Sequence, residues 1–241
     1  MIPARFGASR FPGKLMKMLG NKTVIRHTYE NTVATHLFDE VIVVTDSNII
    51  FNEITHYGGY VMMSKGLHES GSDRIAEAVA ELDVEIVLNV QGDEPFVSTE
   101  PLEKLLAVFQ NDPQHNVKVA SIMSVLEDPA RIVDPNCVKV VVDLQMNSLF
   151  FSRSPIPYHR SDERQQIYYE HIGVYAFRKQ ALLDFSTWET TPLESREKIE
   201  CLRYLEHGIP LKMVISPYLA GKIDTPADLE RAQMHLDSVK Y

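Results

Sequence analysis

Arg5, Arg10 and Lys14 fall within one ten-residue stretch, RFGASRFPGK, together with Gly7, Ser9 and Gly13. Glycines let backbone N–H groups come close to phosphate oxygens, while guanidinium and ammonium groups neutralise their charge. The composition therefore suits an oligophosphate. The spacing is not that of a Walker A loop, since five residues separate Gly7 from Gly13 and Leu15 stands where Ser or Thr would hold magnesium. There is also no G-x-G-x-x-G for a dinucleotide. The alternative is a solvated basic loop with a Pro-Gly turn. Its position after a strand end, where open α/β sheets bind ligands, favours the phosphate reading.

Three acidic residues sit at comparable places. Asp93 follows the apolar run EIVLNV directly, within QGDEP. Asp224 precedes Thr225-Pro226 at the start of the last helix, and Asp46 follows VIVVT. Magnesium takes one or two carboxylates together with phosphate oxygens, so Asp93 and Asp224 would form a metal site if they converge. Each also has a structural reading, because Asp after a strand or before Pro often caps the following helix. Asp46 is either of this structural kind or holds a ribose hydroxyl.

The elements that must position these residues alternate. Short β-branched runs at 41–45, 85–90, 117–125, 138–142 and 211–215 read as strands. Amphipathic stretches at 24–35, 48–57, 72–82, 101–109, 179–185, 196–207 and 226–239 read as helices. The alternation predicts an α/β fold with a mostly parallel central sheet flanked by helices. We expect a single domain over 1–241, with a hairpin-like excursion at 143–169. Met1-Ile2-Pro3-Ala4 reads as the tail of a buried strand, so the first strand is expected to be short, its opening residues missing at the N-terminus.

A formal charge of −9 without a basic block disfavours nucleic acid as a partner and requires any anion site to gather its cations locally. No apolar run approaches the roughly 20 residues of a membrane span. Cys137 and Cys201 lie far apart, which fits neither a zinc site nor a disulfide framework and suits a reducing, cytoplasmic location.

With these segments in view, the chain resembles the 3-deoxy-manno-octulosonate (Kdo) cytidylyltransferases of lipopolysaccharide assembly. The markers run in order: IPARFGASRFPGK, SGSDR, NVQGDEP, PNCVKVV, LFFSRSPIPY, EHIGVYAFR, TPLESREKIECLR and IDTPADL. The resemblance implies a Rossmann-like nucleotidyltransferase fold, Mg²⁺, CTP, an acidic eight-carbon sugar and a homodimer. By residue match, Arg5, Ser9, Arg10 and Lys14 would contact the triphosphate, with Lys14 and Arg10 catalytic. Gly71, Ser72 and Arg74 would lie in the nucleotide pocket, and Asp93 and Asp224 would bind magnesium. Gln91, Arg153, His171, Tyr175 and Glu200 would surround the sugar acid. One position departs: the residue after Glu200 is commonly Gln in this family and is Cys201 here. A thiol does not reproduce an amide's paired donor and acceptor, which leaves room for a related sugar such as the 8-amino analogue.

Without the resemblance, the sugar-side residues have plainer readings. His171 and Tyr175 would be packed strand residues on one face. Arg153 in FFSRSP needs a partner, met by a sugar carboxylate or by a structural Glu. Glu200 would be a solvated charge on the 196–207 helix.

The implied reaction is direct displacement, the sugar's anomeric hydroxyl attacking the α-phosphorus of CTP with pyrophosphate leaving. It needs positioning and charge neutralisation and no covalent help from the protein. Rival readings are an acylneuraminate cytidylyltransferase, an NAD-dependent dehydrogenase and a non-catalytic nucleotide sensor. QGDEP and HIGVYAFR disfavour the first, the missing glycine fingerprint the second, and the set of Lys14, Asp93 and Asp224 the third.

Overall fold

The computed structural model describes residues 1–7, 11–66, 68, 70–160, 167–216 and 222–239. The chain read from sequence as one domain divides into two compact units, Met1–Leu102 with Leu219–Tyr241, and Glu103–Tyr218.

The first unit comprises β1 (Ile2–Ala4), β2 (Met18–Leu19), β3 (Lys22–Thr23), α1 (Val24–Ala34), β4 (Ile42–Thr45), α2 (Asn48–His56), β5 (Tyr60–Met63), α3 (Gly71–Val79) and β6 (Ile86–Asn89). Next, α4 (Thr99–Gln110) carries the chain into the second unit. Strands β1, β4 and β5 form a wholly parallel sheet in that order, with Ile2 opposite Val43 and Thr45 opposite Met63. Every residue of β4 is buried, the pattern of a strand covered on both faces. The start of the chain also exchanges backbone bonds with β6 in the parallel manner. The Met1 amino group donates to the Leu88 carbonyl (2.8 Å), and Val90 N–H donates to the Met1 carbonyl (3.0 Å). The segments beginning at Arg5, Asp46 and Gln91 thus all follow the carboxyl ends of parallel-running strands, the usual place for a ligand. Side-chain caps start the helices: Thr23 accepts from Arg26 N–H on α1, and Ser70 accepts from Asp73 N–H on α3.

The second unit holds β7 (Val119–Leu126), α5 (Pro129–Val133), β8 (Lys139–Val142), β9 (Ser148–Ser152), β10 (Tyr168–Arg178), α6 (Lys179–Thr187), α7 (Pro192–Glu197), α8 (Leu202–Glu206) and β11 (Leu211–Ile215). Its strands run in the order β11-β7-β10-β8-β9. Here the parallel expectation gives way. Only β11–β7 is parallel, while β7–β10, β10–β8 and β8–β9 are antiparallel. The reason is local for β8 and β9. The Asp143 carboxylate accepts from the N–H groups of Gln145 and Asn147, closing a tight turn that forces antiparallel pairing. The hairpin expected at 143–169 therefore begins earlier, with β8, and its residues 161–166 lie outside the described ones.

α9 (Pro226–Val239) returns to the first unit. Its N-terminus is capped reciprocally: Thr225 N–H and hydroxyl donate to the Asp228 carboxylate, and Asp228 N–H donates to the Thr225 hydroxyl.

The helix expected over 196–207 is two helices, α7 and α8, separated at Lys198, whose φ is 54°. Arg153 supplies a physical reason. Its guanidinium takes the carbonyls of Glu197 (2.6 Å) and Lys198 (3.2 Å), turning them out of helical register. Glu200 therefore sits in the turn between α7 and α8 and not on a helix face.

Candidate active site

In the first unit, Pro3, Arg5, Phe11, Lys14, His68, Gly71, Arg74, Gln91, Asp93, Lys222 and Asp224 line one pocket. The basic loop closes on itself through Gly13 N–H to the Phe6 carbonyl (3.2 Å). A 3-10 turn over Lys14–Met16 follows, anchored by the buried Leu15. This anchoring aims Lys14 back into the pocket. Ser9 and Arg10 lie outside the described residues. Arg5 lines the pocket and forms no ion pair with any described residue.

The 91–95 segment is held on several sides. Thr28 donates to the Gly92 carbonyl (2.9 Å), Asn31 to the Pro95 carbonyl (2.6 Å), and Ile223 N–H to the Asp93 carbonyl (3.0 Å). Gly92 is a close approach. A Cβ there would lie 3.0 Å from the Pro3 carbonyl oxygen and 3.1 Å from Ile25 Cδ1, so a larger residue would push the Asp93 segment away from β1. Gly71 meets Pro3 similarly, with Cγ at 3.1 Å.

These restraints bring the two candidate metal carboxylates to one point. Lys14 Nζ donates to Asp93 Oδ2 and, at 2.7 Å, to Asp224 Oδ1. The capping alternative for Asp224 falls, because Thr225 and Asp228 cap α9 and leave the Asp224 carboxylate turned to Lys14. Lys222, absent from the sequence expectations, stands 3.5 Å from Asp224 Oδ2. Asp93, Asp224 and Glu94 hold its ammonium pKa above the usual lysine value. Glu94 was also missed. Burial pushes its carboxyl up to about 8, with Asp93 adding to the rise and Lys222 opposing it. The signals for both were adjacency to the candidate ligands, Glu94 next to Asp93 and Lys222 two residues before Asp224.

Arg74 is almost wholly buried and donates to Asp46 (2.8 Å) and to Ser64. Asp46 thus neutralises the buried Arg74. Ser72 is buried in the first turn of α3. His68, a further residue missed, is oriented by Glu77 (3.0 Å), which also accepts from Lys65 and Gly66 N–H. Gln91 lines the pocket and donates to the buried Asn89 side-chain oxygen (3.1 Å), which leaves the Gln91 carbonyl oxygen as an acceptor.

The remaining sugar-side expectations fall in the second unit. His171 and Tyr175 lie side by side, ring centroids 5.4 Å apart, across a register shift in β10 between Ile172 and Tyr175. His171 Nε2 meets Ser121 Oγ at 3.0 Å and its ring packs on Phe151. The Tyr175 hydroxyl and the sulfur of the completely buried Cys201 are neighbours. Burial pushes both the hydroxyl and the thiol well above their usual pKa values. The Arg153 guanidinium is held by backbone carbonyls and not by a Glu side chain. Its donors go to the carbonyls of Glu197, Lys198 and Pro135 (2.8 Å), while the Glu197 carboxylate takes the Arg153 backbone N–H (2.9 Å). Arg153 thereby fixes the turn that carries Glu200.

Asp93 and Asp224 are hard oxygen donors already directed at one cation, and magnesium fits such a pair with phosphate oxygens completing its shell. Among the described residues no group of three or more His, Cys, Asp or Glu is arranged to hold a metal ion.

A family model described as Cytidylyltransferase matches residues 1–214. The 3-deoxy-manno-octulosonate cytidylyltransferase of Flavobacterium johnsoniae is 55% identical over 239 residues, covering 99% of this chain and 98% of the relative. That of Christiangramia forsetii is also 55% identical, covering 97% of this chain and 94% of the relative. The solved structure of CMP:2-keto-3-deoxy-manno-octonic acid synthetase complexed with CTP superposes with a TM-score of 0.93 at 35% identity, over 99% of this chain and 97% of that one. A 4-diphosphocytidyl-2C-methyl-D-erythritol synthase from Anaerococcus prevotii shares the fold alone, with a TM-score of 0.64 at 20% identity over 98% of this chain and 97% of that one. By its site and by these near full-length matches, the chain belongs to the 3-deoxy-manno-octulosonate cytidylyltransferase family of cytidylyltransferases.

Proposed function

We propose that this chain transfers CMP from CTP to the anomeric hydroxyl of Kdo, giving CMP-Kdo and pyrophosphate for lipopolysaccharide synthesis. The observation that carries the reading is the Lys14 ammonium held between Asp93 and Asp224 in a pocket that Arg5 also lines. An oxygen–phosphorus bond forms at the α-phosphorus as its bond to the β-phosphate oxygen breaks, and the hydroxyl proton passes to solvent. Negative charge grows on the α-phosphate and on the leaving pyrophosphate. Lys14 is preorganised to offset it, and Arg5 adds a second cation, with Ser9 and Arg10 of the same loop joining them. Asp93 and Asp224 would hold Mg²⁺, which when bound neutralises phosphate charge and lowers the pKa of the attacking hydroxyl. Gly71, Ser72 and Arg74 build the nucleotide side, where Gly71 allows the close approach of α3 to Pro3.

Gln91 offers the sugar an amide acceptor, and His171, Tyr175, Arg153 and Glu200 are assigned to the same substrate. Arg153 would do so with the N–H donors that its three carbonyl partners leave over. A buried thiol beside Tyr175 offers the sugar a different neighbour from a glutamine at 201, which keeps the 8-amino analogue as a second acceptor. Among the described residues no helix is long and apolar enough to cross a membrane. A cytoplasmic, homodimeric enzyme is the reading that its sequence family and its two free cysteines support.

The test is pyrophosphate release with Mg²⁺, each of the four NTPs being paired with Kdo, its 8-amino analogue and N-acetylneuraminate. Release restricted to CTP with a Kdo-type acid is the expected result, and release with N-acetylneuraminate alone would overturn the sugar assignment. Light scattering on the same sample reads the oligomeric state.

A further inference from the structure

Lys222 plays no part in the site as the motifs define it, yet it lines the same pocket as Lys14. The two ammonium groups share Asp224, Lys14 on Oδ1 at 2.7 Å and Lys222 on Oδ2 at 3.5 Å. They are not equivalent. Lys14 also has Asp93 and its side chain is 15% exposed, whereas Lys222 is 48% exposed and has Asp224 as its one ion-pair partner among the described residues. At 3.5 Å its nitrogen lies beyond good hydrogen-bond distance, so the contact is a loose pair on a flexible stem, readily exchanged for a better anion. A terminal phosphate carries more charge than a carboxylate and presents several acceptor oxygens. When Asp224 turns to another ligand, Lys14 keeps its bond to Asp93, whereas Lys222 keeps only the longer-range attraction of Asp93 and Glu94.

We propose that Lys222 is a polyphosphate-binding residue that leaves Asp224 to grip the outer phosphates of CTP and then the pyrophosphate product, while the deeper Lys14 serves the reacting phosphate. This inference rests on the cytidylyl-transfer reading.

The experiment is calorimetric titration of the full chain and of its Lys222→Met and Lys222→Arg variants with pyrophosphate, CTP and CMP, each with and without Mg²⁺. One charge-assisted hydrogen bond lost predicts that Lys222→Met binds pyrophosphate and CTP about 10- to 100-fold more weakly. CMP affinity should stay unchanged, which also shows that the variant is folded, and Lys222→Arg should retain most of the affinity. The loss should persist without Mg²⁺, since it comes from direct contact. A loss seen only with Mg²⁺ would mean that Lys222 acts through Asp224, and would overturn the proposal. Equal weakening of CMP, or pyrophosphate binding like that of the unsubstituted chain, would overturn it too. An unsubstituted chain that binds neither CTP nor pyrophosphate would remove both this inference and the reaction it rests on.

Discussion

The pocket of the first unit and the aromatic region of the second hold their polar residues by different means. Around Lys14, charges are held mainly by other charges: Asp93, Asp224 and Lys222 share a few contacts that a substrate anion or a cation can replace. Around Arg153, polar groups are held by backbone carbonyls, partners that do not move without the chain moving. The first arrangement is poised for exchange and the second for shape. Substitutions in the pocket should therefore appear chiefly in turnover, and substitutions in the second unit chiefly in stability and in sugar preference.

The largest expected effect is at Lys14. Lys14→Ala should lower kcat by about 10²–10³-fold, the scale of one lost preorganised donor. Stopped-time pyrophosphate assays check this, and near-normal turnover would remove Lys14 from the mechanism. Asp224→Asn should follow, with a loss of about 10²-fold and a raised Mg²⁺ requirement, because an amide is a poorer ligand for a hard cation. A full rate at low Mg²⁺ would show that the two carboxylates serve only to hold Lys14.

In the second unit, Arg153→Ala removes three guanidinium-to-carbonyl bonds and frees the turn after α7. It should cost about 2–3 kcal/mol in urea unfolding, with the KM for the sugar rising more than kcat falls. Unchanged stability would erase the contrast between the two regions. Cys201→Gln places a larger amide in a completely buried slot beside Tyr175 and should cost about 1–3 kcal/mol. A shift between Kdo and its 8-amino analogue without that cost would make position 201 a specificity residue.

The smallest effect belongs to the β8–β9 turn. The backbone and side chain of Asn147 hold the Asp143 carboxyl below its usual 3.8. A depressed carboxylate stabilises the folded state above the unfolded pKa, and that contribution is lost as pH falls below 3.8 towards the folded value. Asp143→Asn removes that contribution, so it should lower stability slightly at neutral pH and thereby flatten the acid limb of the stability profile. Thermal melts across the acid range check this.

Much of the fold was legible because its signals are local. The β-branched run of β4 and the Thr-Pro start of α9 need only neighbouring residues to be read. The break at Lys198 was not legible, because its cause is a guanidinium more than forty residues earlier in the chain. The antiparallel character of the second sheet was hidden for a similar reason, since strand pairing is a property of partners and not of either strand's pattern. The bulge in β10 puts His171 beside Tyr175, as their even spacing suggested, although two residues between them are displaced from the register.

By itself, the sequence determined the chemistry available: a basic glycine loop, carboxylates after strand ends, and the ordered motifs of a cytidylyltransferase. These follow from residue type and short spacing. Tertiary structure alone decided which charges meet. Asp93 and Asp224 lie far apart in sequence and converge on one ammonium, Asp46 is committed to Arg74, and Lys222 enters the pocket with Asp224 as its partner. The physical reason is range. Propensity and patterning act over a few residues, whereas an ion pair depends on distance in space, which only the packed chain sets.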